Sequence, residues 1–378
     1  MLTPEHPLSI LILGLRTDLT DKQLAELGAV MGTEVCPWET LLSLANLHRV
    51  TLLWYLRLQQ HDLAQHMPED LRDYLDALLE QNRTRNGNLM AASDRCLEAF
   101  YRDGLEVILL KGAAALADDL YHDVGARLMG DIDLLIWPEQ LEQVEQAISG
   151  LGFQVAVEDR DNQFYSEHHH LPPYHHPDWQ VCLELHLDTA DFKQRNAFPP
   201  ERLFSRAETV LVGEWPVKIL HSSDRLLHNA CHSIVQDAGW LYSWCSLHEW
   251  AEWDLLLRRA ESSVDFAGLL AHAGQGGFTV QLKVYALLAN RLFGSPVPAE
   301  WHDRRETRHV NRLLAGLAWR GNSAREPSVV RRHYLWQVLP HSWHSHHFSR
   351  QQVPLLQRVT HFIKLALRPS SWERLRLK

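Results

Sequence analysis

The sequence predicts an α+β fold. A small sheet-bearing core at residues 105–220 is set between an N-terminal helical region (1–104) and a C-terminal helical region (221–321), and a basic helical tail follows at 322–378. Three observations carry that expectation. On the N-terminal flank apolar residues recur at helical spacing, as in Trp38, Leu41, Leu42, Ala45 and Leu71, Leu75, Leu78, and after residue 221 the pattern becomes helical again. Between the flanks the pattern shortens to compact or alternating apolar runs, at 107–110, 131–136 and 181–187. Glycine and proline mark the junctions, notably Gly104, Gly112, Pro138, Gly150 and Pro216.

The bulk numbers bound the reading. A chain of 378 residues with 46% hydrophobic and 22% charged content is long enough for a sizeable core and ordinary for a globular protein. Five scattered cysteines without a C-x-x-C pair indicate neither a disulfide framework nor a zinc ribbon. The run from Leu8 to Leu15 is too short to span a membrane and lacks the flanks of a signal peptide, so a cytoplasmic location is expected. The net charge of -10 is uneven, since the tail from Asn322 carries ten Lys/Arg against Glu326 and Glu373. Within it, Val353 to Leu367 forms a basic amphipathic pattern. Docking of that segment on the helical region is favoured over peripheral membrane contact, for which one short helix is thin support.

In chain order, helices are expected up to Gly104, with Pro68-Glu69-Asp70 opening one and Asn88 to Arg102 forming another. Val107 to Leu110 reads as a buried strand, Lys111-Gly112 as a turn, and Ala113 to Tyr121 as a helix. Strand, Lys-Gly turn and helix suit a phosphate, because the helix start offers free N–H groups and glycine admits close backbone approach. The G-x-x-x-x-G-K spacing of a Walker loop is absent, and a solvated turn lysine is the plainer reading of Lys111 by itself.

The stretch Gly130-Asp131-Ile132-Asp133-Leu134-Leu135-Ile136 follows, with Arg127 just upstream. On a strand, Asp131 and Asp133 project from the same face. Two such charges repel each other and resist desolvation, so either a divalent cation lies between them or they face water at a sheet edge. Pro138 to Gly150 reads as a helix and Phe153 to Val157 as a strand. The histidine-dense segment 168–177 is expected to be a loop lining the site, with adventitious metal binding as the second reading. In the strand at 180–187, Val181, Leu183, Leu185 and Leu187 face one way, while Cys182, Glu184 and His186 face the other. An acid amid apolar strand residues needs a partner, and beside the Asp131–Asp133 strand Glu184 completes a three-carboxylate cluster. After a last short strand at 217–220, His228 and His232 sit four apart on a helix. Without H-E-x-x-H they read as packing histidines. Trp240, Trp244, Trp250 and Trp253 read as core or interface aromatics.

Taken together, Leu110-Lys111-Gly112-Ala113-Ala114, Arg127, Gly130-Asp131-Ile132-Asp133-Leu134-Leu135 and Leu183-Glu184-Leu185-His186 resemble a bacterial nucleotidyltransferase family with an L-K-G…R…D-I-D-L-L core. That family is a divergent branch of the DNA polymerase β-like superfamily. Leu47-His48-Arg49-Val50 and the His-His-Leu-Pro-Pro segment are similar as well, and the resemblance spans roughly Trp38 to Ala260. It implies a small mixed sheet and an enzyme that moves a nucleoside monophosphate from a nucleoside triphosphate, ATP among them, to an acceptor. It also implies Mg²⁺, with Mn²⁺ as the alternative ion, held by Asp131, Asp133 and Glu184. Lys111, Gly112, Arg127 and Gly130 are implied on the phosphate side, and His186 as a substrate contact or as a hydrogen-bond support. Many superfamily members carry Gly-Ser after the first strand. Here Ala113 follows Gly112, so the serine contact is missing and Lys111 is expected to replace it.

The acceptor is a small molecule, peptide or protein hydroxyl in this reading. A tRNA-modifying toxin and a nucleotide-binding adaptor are the alternatives weighed against it. Nucleic acid is disfavoured as a partner because no strongly basic patch marks the core.

Overall fold

The computed structural model describes residues 6–155, 171–191, 193–237, 239–242, 245–260 and 263–322. Four helices lead the chain: α1 (Pro7–Leu15), α2 (Asp21–Met31), α3 (Trp38–Leu47) and α4 (Thr51–Gln60). Thr20 caps α2 through a reciprocal capping box with Gln23. The next helix, α5 (Glu69–Arg102), runs 34 residues without a break. The sequence suggested two helices here, one opened by Pro68-Glu69-Asp70 and another over Asn88 to Arg102, but the polar stretch between them, with Asn82 and Asn86, is helical too. Those asparagines are structural. Asn82 Nδ2 donates to the carbonyls of Gly125 (2.8 Å) and Arg127 (3.0 Å), and Asn86 Nδ2 donates to those of Val124 (2.6 Å) and Arg127 (2.7 Å). The helix thus holds the 124–127 loop by its backbone, which keeps buried carbonyls satisfied.

The core is a seven-stranded mixed sheet in the order β3-β4-β5-β2-β1-β7-β6. Its strands are β1 (Val107–Leu109), β2 (Asp131–Ile136), β3 (Gln154–Val155), β4 (Tyr174–His176), β5 (Val181–His186), β6 (Glu208–Val212) and β7 (Trp215–Ile219). Between β1 and β2 lies α6 (Lys111–Ala117), and between β2 and β3 lies α7 (Leu141–Gly150). β2 pairs antiparallel with β1 and parallel with β5, placing Asp131 beside Cys182 and Asp133 beside Glu184. This is the neighbour relation on which the three-carboxylate expectation depended.

Strand alternation divides the core in two. Val107, Leu109, Ile132, Leu134, Leu183 and Leu185 pack with Ala92, Leu97 and Phe100 of α5 and with Val144 and Ile148 of α7. Ile108, Leu110 and Leu135, on the carboxylate face, join the larger core of the flanking helices. The later helices are α8 (Pro200–Arg206), α9 (Ser222–Ala230), α10 (Gly239–Tyr242), α11 (Leu247–Ala260), α12 (Phe266–Gln275), α13 (Thr279–Phe293) and α14 (Arg304–Asn322). Trp250 and Trp253 of α11 are fully buried core residues, as expected.

Two local readings change. Tyr174 to His176, expected in a loop lining the site, forms β4 against β5. His176 is buried there, with Nε2 2.9 Å from the Leu151 carbonyl and its ring stacked on Trp179 at 3.8 Å. β6 is a further strand, not read from the sequence: its Val210-Leu211-Val212 run is short, and most of the strand is exposed. It forms a hairpin with β7 at Gly213, whose φ of +59° suits glycine, and a Cβ there would lie 2.0 Å from Asp94 Oδ1. His168 to His170, Trp244, residues 156 and 157 and the basic tail from 323 onward, with its amphipathic stretch, lie outside the described residues. Among the described residues, no helix is long and apolar enough to cross a membrane.

Leu183 lies at the centre of this sheet with no exposed surface. Leu183→Ala is expected to lower unfolding stability by about 2–5 kcal/mol, the usual cost of such a cavity, read as a shift in the urea midpoint at unchanged slope.

Candidate active site

The structure brings Asp131, Asp133, Glu184 and His186 onto one face of the β2–β5 pair. Asp133 is 2% exposed, and its Oδ1 receives two contacts at 2.7 Å, from Lys111 Nζ and from His186 Nε2. Burial pushes the Asp133 carboxyl up, but the Lys111 charge and the His186 hydrogen bond outweigh it and hold the group well below the usual carboxylate range. The reciprocal balance applies to Lys111. Burial pulls its ammonium down, the Asp133 charge and hydrogen bond pull it up, and the net direction is up. Asp131 differs. Burial and the neighbouring Asp133 charge raise its pKa against weaker help from Lys111 and Arg127.

His186 has no exposed surface and lies 3.8 Å from Glu184 Oε2 as well as bonding Asp133. Of the two readings given for it, hydrogen-bond support is the one this geometry displays. Asp133, Glu184 and His186 offer ligand atoms that all lie within 4.8 Å of one another, a grouping able to hold a metal ion.

Lys111 opens α6 with φ +46°, a left-handed conformation unusual for a non-glycine residue and common at functional sites. Leu110, just before it, donates its backbone N–H to the Asp133 carbonyl at 3.0 Å, so the turn is fastened to β2. Gly112 is buried beneath Met129, and a Cβ there would come within 3.3 Å of Met129 Cβ. A Cβ on Gly130 would lie 3.7 Å from Arg85 Nη2.

These groups border a cavity of about 550 Å³ between the sheet and the helical regions. Arg127 lines it, with its Nε donating to Glu252 Oε2 at 3.0 Å and its Nη1 to the Leu128 carbonyl at 2.7 Å. Tyr121 donates to the same Glu252 oxygen at 2.7 Å. Burial alone lowers the Arg127 pKa, but the acids around it raise it overall.

Sequence reasoning missed several residues of this cavity: Arg85, Arg225, His248, Glu249 and Glu252. One signal was present. Glu249 and Glu252 sit three apart, each directly before a tryptophan (Trp250 and Trp253), and acids interleaved with tryptophan on one helix imply a buried polar purpose. His248 Nε2 lies 2.9 Å from Glu249 Oε1, and burial, which raises the Glu249 pKa, is overcome by His248 and His232.

His228 and His232, expected to serve helix packing, also line the cavity. The chain is π-helical at Cys231–Gln236, with Asp237 N–H bonded to the His232 carbonyl at 2.8 Å. This i→i+5 geometry groups His232 with Asp237 and Glu249, whose ligand atoms also lie within 4.8 Å of one another.

Asp131 and Asp133 of β2, with Glu184 beside them on β5, border or adjoin a cavity that lysine and arginine also line, a setting suited to nucleotide phosphates. Residues 36–294 match the family model described as "Uncharacterised nucleotidyltransferase", and the chain belongs to that family. It is a nucleotidyltransferase, and a nucleoside triphosphate substrate follows from that class. No curated protein and no solved structure shows significant similarity to the chain.

The Arg127–Glu252 pair is buried on both sides, with side chains 13% and 8% exposed. Glu252→Gln leaves the Arg127 charge without its partner and is expected to cost about 3–5 kcal/mol, measured by chemical denaturation. Combining Arg127→Met with Glu252→Gln should recover part of that loss in a double-mutant cycle.

Proposed function

We propose that the protein transfers a nucleoside monophosphate from a nucleoside triphosphate to a hydroxyl-bearing acceptor, with Asp131, Asp133 and Glu184 holding divalent metal. The supporting observation is the in-register β2–β5 pair, which presents all three acids on the face that also carries Lys111's contact to Asp133. Asp133 and Glu184 with the His186 imidazole form a group able to hold a divalent ion, Asp131 lies on the same face, and this carboxylate-rich setting suits Mg²⁺, with Mn²⁺ as the alternative. Asp131 supports the same reading. Its carboxylate is penalised by burial and by Asp133 and lacks the close cationic contact that Asp133 has, the imbalance a bound dication relieves. When bound, the metal supplies charge neutralisation at the triphosphate and lowers the pKa of an attacking hydroxyl.

The remaining work belongs to the chain. In the transfer, the acceptor oxygen forms a bond to the α-phosphorus, the bond from that phosphorus to the β-phosphate bridge breaks, and pyrophosphate leaves. Lys111 lies on the phosphate side and stabilises charge that grows on the departing oxygens, with Arg127 beside it. Gly130 keeps the wall next to those groups free of a side chain, so that phosphate can approach the backbone, while Gly112 lets Met129 pack over the start of α6. His186 holds Asp133 in one orientation through its 2.7 Å contact, which preorganises the acid before substrate arrives. The acceptor is a small molecule, a peptide or a protein.

The test is pyrophosphate release from each nucleoside triphosphate with Mg²⁺ and candidate acceptors. Asp131→Asn and Asp133→Asn are each expected to reduce release at least about a hundredfold, the scale on which removing one charge-stabilising group acts. Chelation with EDTA should abolish it. Release that survives both substitutions would place the chemistry elsewhere, and nucleotide binding with no release under any condition would favour an adaptor.

A further inference from the structure

The cations around the cavity are not equally satisfied. Lys111 is taken by Asp133, and Arg127 by Glu252. Arg225 on α9 is different: its side chain is only 9% exposed and its Nη1 binds Asp118 Oδ2. Its Nη2 is buried, with no hydrogen-bond partner among the described residues. Asp118 is also shared, because Arg259 Nη1 lies 3.2 Å from the same carboxylate oxygen. One carboxylate oxygen therefore faces two guanidinium groups while its fellow, Asp118 Oδ1, is buried without a hydrogen-bond partner among the described residues; a single acid serves two cations, and one of them, Arg225, lines the cavity. Buried N–H donors in native proteins are almost always paired, and a charged one left open calls for an anion. Two further lining arginines, Arg49 and Arg85, make no side-chain hydrogen bond or ion pair with any described residue. Both are exposed, and Arg49 is held at φ +56°.

We propose that Arg225, with Arg49 and Arg85 at the rim, forms an anion site on the helical side of the cavity and that its ligand is a phosphate group. Guanidinium suits phosphate because its planar fork offers parallel donors to two oxygens. Arg225 marks the end of the site away from the Lys111–Gly112 turn, because its anchor Asp118 lies seven positions beyond Lys111 along α6, a rise of about 10 Å, while Arg85 reaches toward Gly130 in the same cavity. A phosphate reaching Arg225 comes either from the tail of the nucleoside triphosphate or from an acceptor that itself carries phosphate. The inference deepens the nucleotidyl-transfer reading and takes from it only that this cavity is where substrates bind.

The experiment is calorimetric titration of the full chain with sodium tripolyphosphate and with inorganic phosphate, in EDTA, so that no metal at the carboxylates contributes. Tripolyphosphate is expected to bind, with affinity that falls as salt rises and weakens at least about tenfold in Arg49→Gln/Arg85→Gln. Both substituted residues are exposed, so the fold should survive. Arg225→Lys, which keeps a charge for Asp118 but loses the second donor, should weaken binding as well. Phosphate displaced by a non-hydrolysable nucleoside triphosphate assigns the site to the triphosphate tail, and phosphate bound alongside that nucleotide assigns it to a phosphorylated acceptor. Either result supports the site. Absence of tripolyphosphate binding to the native chain, or affinity unchanged in all these arginine variants, overturns it. Asp131→Asn separates the two proposals, since Asp131 makes no ion pair with a described residue: pyrophosphate release is lost while metal-free anion binding stays dependent on the arginines.

Discussion

The arrangement of the site follows from one buried carboxylate. Asp133 is nearly sealed from solvent, and an ionised acid in such a place persists only when opposite charge or strong donors meet it. Lys111 and His186 do so from opposite sides, one from the turn after β1 and the other from β5. Three segments far apart in sequence are therefore fastened at a single oxygen. The left-handed backbone of Lys111 is tolerated because that bond, together with the Leu110 to Asp133 backbone bond, over-determines the turn.

A second layer of polar contacts ties this centre to the helices around it. Glu252 of α11 holds Arg127, Tyr121 holds Glu252, and the asparagines of α5 grip the loop backbone that carries Arg127. The cavity is thus assembled from three parts of the chain, with its floor on the sheet and its walls on helices from either flank.

Strand alternation made the centre of this plan legible in the sequence. Once Asp131, Asp133 and Glu184 were assigned to strands, period two fixed which face each side chain takes, and the apolar complements Leu134, Leu183 and Leu185 fixed which face is core. That β2 and β5 lie side by side was an expectation from family resemblance rather than from periodicity, and the register bears it out. The helical walls were much less legible. Arg85 and Arg225 lie on helices whose apolar pattern speaks only of packing, and nothing local says that either will turn inward. Asn82 and Asn86 went unread as well, because their partners lie about 40 residues further along the chain and no spacing within the helix reveals them. The π turn at Cys231–Gln236 hid the true neighbour of His232, since spacing rules presume four residues rather than five.

The grip of α5 on the loop carries a consequence for how this family can drift. Asn82 and Asn86 touch no reacting group, yet each supplies two bonds to carbonyls that no aliphatic residue of the same size can replace. Selection on turnover therefore reaches deep into a helix with no chemistry of its own. Among related chains, these two amides should be as reluctant to change as the acids they never meet.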